Sequence, residues 1–330
     1  VVTGPRAASV VEVAAPTPRP GQVVVDVALV GICGTDAEFF SGEMSYLHQG
    51  HARYPMRLGH EWCGTVTRVG EAVDPSWLGL RVIGDTMLGC GRCRLCLAGR
   101  SHVCEQRFEI GIRGGWPGAL AEQLVVPVSA LHALPASIDD VAGALVEPGG
   151  NALRAVDAVD PRPDEPLLIC GPGTIGLLAA MFAVARGARV HLLGQTLTSD
   201  LPFGVEGIWT SENLPAIPFD AVIDATNSAE MPARILDLVQ PGGRIAFIGL
   251  AGEPSLIDTR ALVLKDVSAI GILSASPGLA GVIQRYASGE VDPRQIVAAT
   301  VGLDEVAGAL SGLRPVGAGP GPKILVDPRR

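Results

Sequence analysis

Leu167-Leu168-Ile169-Cys170-Gly171-Pro172-Gly173-Thr174-Ile175-Gly176 is the stretch on which the reading of this chain turns. Its first four residues have the character of a buried parallel strand, the next six fit G-x-G-x-x-G, and a helical pattern follows to about position 186. The glycine pattern alone is cheap. Strand, tight turn and helix in this order are what a dinucleotide pyrophosphate requires, because the first two glycines let the backbone turn and approach the phosphates. The third lets helix pack on strand, and the first-turn N–H groups face the anion. Gly171, Gly173, Thr174, Ile175 and Gly176 are therefore expected to hold a dinucleotide. The uncharged run 167–185 approaches membrane-spanning length, but Gly171-Pro172-Gly173 divides it into two halves too short to span.

Further along, 189–193, 221–225, 244–249 and 267–273 are short apolar runs of the same buried-strand type, and 175–186 and 231–239 are the clearest helices. Alternating strand and helix predicts an α/β fold with a doubly wound parallel sheet. The connection after Leu193 is abnormal, because Pro202, Gly204, Gly207, Pro215 and Pro218 leave no room for a long helix. At the end of the second strand, where an acidic residue commonly holds the adenosine ribose, the chain reads Leu193-Gly194-Gln195-Thr196. Gln195 can bond a ribose hydroxyl, and Thr196, Thr198 and Ser199 can bond a 2′-phosphate, so NAD and NADP both stay open. Thr226 and Leu250, beyond the next two strands, complete the residues expected to bind the cofactor.

Before about residue 150 the pattern differs. Short β-rich runs such as 22–30 and 62–69, separated by Gly and Pro, predict a compact β-barrel-like unit. A helix ending at Val159 and the turn Pro161-Arg162-Pro163-Asp164 mark the change of character. Beyond about 277 come helices over 279–288 and 304–313 and a last strand over 323–326, with no internal repeat.

Cys90, Cys93, Cys96 and Cys104 lie in a Gly/Arg loop without hydrophobic period, where four thiolates can enclose one tetrahedral zinc. An isolated redox pair needs two cysteines at a helix start, not four in a loop. Iron–sulfur ligation of the bacterial type wants the fourth Cys after three residues and then Pro, whereas Glu105 follows Cys104. A closed zinc site stabilises a loop and performs no chemistry. Cys33, in Gly31-Ile32-Cys33-Gly34-Thr35-Asp36, and His60-Glu61 stand at two strand–loop junctions. Each alone reads as a packing or capping residue. Together they offer zinc a thiolate, an imidazole and a carboxylate, with a position left open as catalysis requires. Glu147, a carboxylate in an apolar stretch, is a further candidate ligand. Cys63 and Cys170 read as ordinary core cysteines.

The 330 residues, 48% hydrophobic and 18% charged, suffice for about two domains with sizeable cores. A net charge of −9 with no Lys/Arg block gives no footprint for a nucleic acid or an anionic membrane, and so points to a small-molecule partner. No basic stretch followed by an apolar run and cleavage site opens the chain, so the seven cysteines are expected in a reducing cytoplasm.

Cys33-Gly34-Thr35-Asp36, Gly59-His60-Glu61, the four-cysteine loop, Val146-Glu147-Pro148 and the glycine fingerprint, in this order, resemble a zinc-dependent medium-chain alcohol dehydrogenase over essentially the whole chain. The Glu-Pro pair resembles the polyol, sugar and threonine dehydrogenase branch. The resemblance implies a GroES-like catalytic domain over 1–150 and 276–330, interrupted by a Rossmann domain over 151–275, with the active site in the cleft. It makes Cys33, His60 and either Glu61 or Glu147 ligands of a catalytic zinc, with Cys90, Cys93, Cys96 and Cys104 holding a structural one. Asp36 then fixes the His60 tautomer, and Thr35 contacts the substrate oxygen. Glu38 stands where the family often has a proton-relaying His. The implied reaction is hydride transfer between a secondary alcohol, of polyol, cyclic-sugar or amino-sugar type, and NAD or NADP. A zinc- and nucleotide-binding sensor without turnover and an iron–sulfur redox protein are the alternatives. Residues near Phe39, Phe40, His48, Trp62 and Trp116 are expected at the substrate pocket, and edge pairing of the 267–273 strand is expected to give a homodimer or homotetramer.

Overall fold

The computed structural model describes residues 1–195 and 204–330. The expectations for Thr196, Thr198, Ser199 and Pro202 lie outside the described residues. The chain divides into two compact units, Val1–Glu147 with Asp292–Arg330, and Pro148–Val291.

The first unit is built on β1 (Gln22–Gly31), the helix α1 (Gly34–Ser41), β2 (Glu61–Val69), β3 (Arg81–Gly84), β4 (Gln123–Pro127) and β5 (Leu131–Ala133). Two later strands, Val297–Val301 and Lys323–Val326, join the same sheet. Its order is 297–301, 323–326, β1, β2, β3, β5, with β4 also paired to β1. The run Gln22-Val23-Val24-Val25-Asp26-Val27 favours a strand because β-branched side chains pack well on a pleated surface. Val23, Val25, Val27, Trp62, Val66, Val82, Leu124 and Val326 converge in one core, together with Phe39 and Phe40 of α1. Phe39, Phe40 and Trp62, near which the substrate pocket was expected, are themselves core residues.

The second unit contains α2 (Val146–Val159), whose first two residues belong to the first unit, then β6 (Pro166–Cys170), α3 (Thr174–Ala185), β7 (Arg189–Leu193), β8 (Gly207–Trp209), β9 (Phe219–Asp224), α4 (Met231–Leu238), β10 (Val239–Phe247), β11 (Ser268–Gly271) and α5 (Leu279–Ser288). Its all-parallel sheet runs β8-β7-β6-β9-β10-β11, a doubly wound order with the switch point between β6 and β9. The uncharged run 167–185 is the buried strand β6 and the helix α3, and no helix among the described residues is long and apolar enough to cross a membrane. No helix stands between β7 and β8 among the described residues.

The return to the first unit comes at Asp292, later than the 276 boundary read from sequence. The cause is packing: Tyr286 of α5 stacks on Phe182 of α3, ring centroids 6.0 Å apart and 5° from parallel. Both side chains are buried, so α5 is part of the second unit's core. The expected helix over 304–313 is shorter, a 3-10 turn Leu303–Glu305 and a helix Val306–Leu310. Tyr286→Ala is expected to cost about 3 kcal/mol through the cavity it leaves against Phe182. Urea unfolding should show this as an earlier transition of the second unit, and an unchanged midpoint would remove α5 from that core.

Candidate functional site

Cys33 follows β1 as the residue before α1, and its N–H donates to Asp36 Oδ2 at 3.0 Å. Asp36 is completely buried and its other oxygen accepts the N–H of Gly59 at 3.1 Å. The same Oδ1 lies 3.5 Å from His60 Nδ1. Burial alone would push the Asp36 carboxyl up. The His60 imidazole and the N–H groups of Cys33 and Gly59 overrule it and hold the group below the usual carboxylate range. With Nδ1 turned to Asp36, Nε2 is left as the ligand nitrogen. Ligand atoms of Cys33, His60 and Glu61 all lie within 4.8 Å of one another. His60 Nδ1 is buried with no hydrogen-bond partner within ordinary geometry, so the 3.5 Å approach to Asp36 is an electrostatic contact. A thiolate, an imidazole and a carboxylate converging in this way fit a zinc ion.

Glu61 is held from behind by Lys323, whose Nζ lies 2.5 Å from Oε2 and donates to the Ile32 carbonyl at 2.8 Å. Both side chains are buried, at 1–2% exposure. Burial alone would lower the Lys323 ammonium, but Glu61 and Cys33 keep it above its ordinary value. Sequence reading missed Lys323. The chain has just two lysines, Lys265 and Lys323, and a lone lysine opening the apolar run Ile324-Leu325-Val326 was the available signal. Glu147 is buried near the start of α2 but is not in the group gathered at Cys33. Thr35 is half-buried in the first turn of α1, and Glu38 stands one turn further on. Burial and the nearby Glu43 push the Glu38 carboxyl up. Of the expected pocket residues, His48 is exposed, while Trp116 is half-buried and donates its indole N–H to the Val125 carbonyl at 3.1 Å.

The four loop cysteines form a second group with all sulfurs within 4.8 Å. Cys90 and Cys96 are 4.0 Å apart and Cys93 and Cys104 3.7 Å. A tetrahedron with zinc–sulfur bonds of about 2.3 Å sets neighbouring sulfurs about 3.8 Å apart, so the spacing fits. The N–H groups of Arg92 and Cys93 hold the Cys90 thiol down at about 6, which prepares a thiolate. All seven cysteines are unpaired, and Cys63 and Cys170 are buried core residues as read from sequence.

In the second unit the fingerprint turn sits between β6 and α3. Gly171 adopts φ +92°, and a Cβ on Gly176 would stand 2.0 Å from the Gly171 carbonyl oxygen, so neither position accepts a side chain. Gly173 precedes α3, whose first-turn N–H groups have no partner within the helix and fit a pyrophosphate. Gln195 is exposed just beyond β7, and Leu250 is 74% exposed beyond β10. Thr226 is half-buried, and its hydroxyl donates to Asp224 at 2.7 Å.

Comparison with known proteins extends these observations. Residues 19–136 match the alcohol dehydrogenase GroES-like domain. An L-threonine 3-dehydrogenase of Coxiella burnetii is 33% identical over 274 residues, covering 78% of this chain and 79% of that protein. An alcohol dehydrogenase (rspB) from Escherichia coli CFT073, solved with NADH, superposes with a TM-score of 0.89 at 25% identity, covering 99% of this chain and 97% of that one. A putative zinc-binding dehydrogenase from Sinorhizobium meliloti 1021 bound to NADP gives 0.85 at 29% identity, with 96% and 94% covered. A GroES-like unit carrying two metal-ligand groups, an inserted doubly wound unit with a dinucleotide turn, and a relative this similar along most of both chains together make this chain a member of the zinc-dependent medium-chain alcohol dehydrogenase family.

Proposed function

We propose that the protein oxidises a secondary alcohol, or reduces the matching ketone, with NAD or NADP and one catalytic and one structural zinc per chain. The observation that carries this reading is the convergence of Cys33, His60 and Glu61 within 4.8 Å, backed by the buried Asp36. The threonine dehydrogenase likeness supports an alcohol carbon of secondary type. A polyol, cyclic sugar or amino-sugar is the favoured substrate class.

Bound zinc supplies Lewis acidity to the substrate hydroxyl, and the bound nicotinamide supplies hydride exchange. Cys33, His60 and Glu61 would hold the catalytic ion, with Glu147 able to take part as a further carboxylate. Cys90, Cys93, Cys96 and Cys104 would hold the structural one. Asp36 keeps His60 in the tautomer that presents Nε2, and Lys323 fixes the angle of Glu61. The Thr35 hydroxyl accepts the proton leaving the substrate and passes it on. Glu38, three residues along the same helix face, is its next acceptor. Gly171, Gly173, Thr174, Ile175 and Gly176 seat the pyrophosphate, with Gln195 towards the adenosine ribose and Thr226 and Leu250 completing the cofactor's surroundings; the role expected of Thr196 rests on the sequence alone. The catalytic domain is assigned to both chain ends and the Rossmann domain to the inserted part, in a reducing cytoplasm that keeps the cysteines as thiols.

Metal analysis and absorbance of the reduced nicotinamide, over a panel of secondary alcohols, inositols and amino-sugars with both cofactors, test the reading. Cys33→Ala should lose one zinc and turnover while Cys93→Ala, where folded, loses the other zinc and stability but keeps its chemistry. Full turnover in Cys33→Ala would refute it, as would visible absorption of an iron–sulfur type or cofactor binding without reduction by any alcohol.

Because its carboxyl sits above the usual range, Glu38 accepts a proton readily only once pH exceeds that raised value, so activity should fall as pH drops through it. Glu38→Gln should lower kcat by at least roughly tenfold and abolish that limb of the pH profile. An unchanged profile excludes Glu38 from the route.

The β11 edge is exposed along its length and carries the apolar side chain of Ile270, and Val263 and Leu264, shortly before it in the chain, are exposed as well. Pairing of this edge with its copy across a two-fold axis is the proposed basis of a homodimer or homotetramer. Ile270→Lys should shift light-scattering mass towards the monomer; wild-type protein that is itself monomeric refutes the assembly.

A further inference from the structure

Asp224 ends β9 beside Cys170 of β6, its parallel register partner, and is 3% exposed. Its Oδ1 accepts both the N–H of Thr226, at 3.0 Å, and the Thr226 hydroxyl, at 2.7 Å. The Thr226 hydroxyl oxygen in turn accepts the Ser228 N–H at 3.3 Å. Through its own carbonyl Asp224 accepts the N–H groups of Ile248 and Gly249, each at 2.9 Å, while Ala225 N–H donates to the Cys170 carbonyl at 2.9 Å. The carboxyl ends of β9 and β10 are thereby joined at Asp224, and Ala225 next to it joins β9 to β6.

The stitching leaves little slack. A Cβ added to Gly249 would stand 1.8 Å from the Thr226 carbonyl oxygen, and one added to Gly171 would stand 3.1 Å from the Thr226 methyl and 2.9 Å from the Ala225 carbonyl. Thr226 is wedged between the fingerprint turn and the turn after β10, both at the switch-point end of the sheet where dinucleotides bind. Its hydroxyl proton is already given to Asp224, so an accepting lone pair and the backbone are what remain for a ligand. What the Asp224 side chain supplies is geometry: one acceptor oxygen placed to take both the N–H and the hydroxyl of Thr226.

We propose that Asp224 is a positioning residue for the dinucleotide: by holding Thr226 down, it keeps the Gly171 and Gly249 turns spaced to admit the cofactor. The inference rests on the dinucleotide reading above. Asp224 need not touch the cofactor, and its removal would let the 225–228 turn relax into the space beside Gly171.

Fluorescence titration of the purified zinc-loaded protein with NADH and with NADPH tests this, alongside steady-state KM and kcat and metal content. Asp224→Ala should weaken binding of the preferred dinucleotide and raise its KM by about tenfold or more, with kcat within about threefold and zinc content unchanged. Asp224→Asn, which keeps an acceptor oxygen of the same reach, should bind within about threefold of wild type. Thr226→Val keeps the wedge but not the hydroxyl, and should weaken binding about threefold to fivefold. It carries the test if Asp224→Ala does not fold, and wild-type binding by Thr226→Val would then overturn the proposal. Unchanged binding by Asp224→Ala would overturn it directly. So would an Asp224→Asn as weak as the alanine variant, since charge and not bond geometry would then be responsible. A wild-type protein that binds neither NADH nor NADPH would remove the dinucleotide reading, and the proposal with it.

Discussion

One buried carboxylate organises the end of the first unit where the candidate metal ligands gather. Asp36 receives the Cys33 N–H on one oxygen and the Gly59 N–H on the other, and the second of these faces His60 Nδ1. The two strand–loop junctions that carry the ligands are thus tied to a single side chain. A negative charge without water is expensive unless fully satisfied, and here the satisfaction is what fixes the ligands in place. Replacing Asp36 with an apolar residue would leave two backbone donors without their acceptor and the imidazole without its electrostatic neighbour, so the thiol and the imidazole would no longer be held in register.

Glu61 and Lys323 form the second buried charge pair, and they work differently. Two buried ions gain from each other about what they lose in leaving water, so such a pair contributes orientation more dependably than stability. Lys323 also bonds the Ile32 carbonyl, next to Cys33, so it braces one ligand and the backbone of another at once. The cysteine loop relies on backbone geometry instead: N–H groups of its own turn favour thiolate at Cys90 before any ion arrives.

Periodicity and punctuation made much of this legible. The strand β6 is an apolar run closed by Gly171 and β7 closes on Gly194, so both were readable, while much of the Pro- and Gly-broken connection after Leu193 lies outside the described residues. Spacing made the four-cysteine group readable, since its ligands lie within one short loop. Lys323 stood out as a lone lysine before an apolar run, but its pairing was not legible, because Glu61 is 262 positions away and no local pattern carries that information. Phe39 and Trp62 misled because each stands close in sequence to a candidate site residue, Thr35 or Glu61, while its own side chain packs into the core. The extent of the inserted unit was misjudged because Tyr286 looks like any helical aromatic until Phe182 is found against it. Thr226 was selected by position alone, and its commitment to Asp224 needed the turn's actual geometry.

The Glu61–Lys323 pairing also sets an order of events for a chain emerging from the ribosome. Lys323 is synthesised after the whole inserted unit, on a strand that hydrogen-bonds antiparallel to β1. Until that strand arrives, a folded first half would hold Glu61 in an apolar interior without its counter-charge. The barrel therefore has a thermodynamic reason to stay loose while the inserted unit, whose contacts are contiguous in sequence, condenses first. Interruption of one domain by another then sets a sequence: the sheet that carries Glu61 is completed only when the end of the chain arrives.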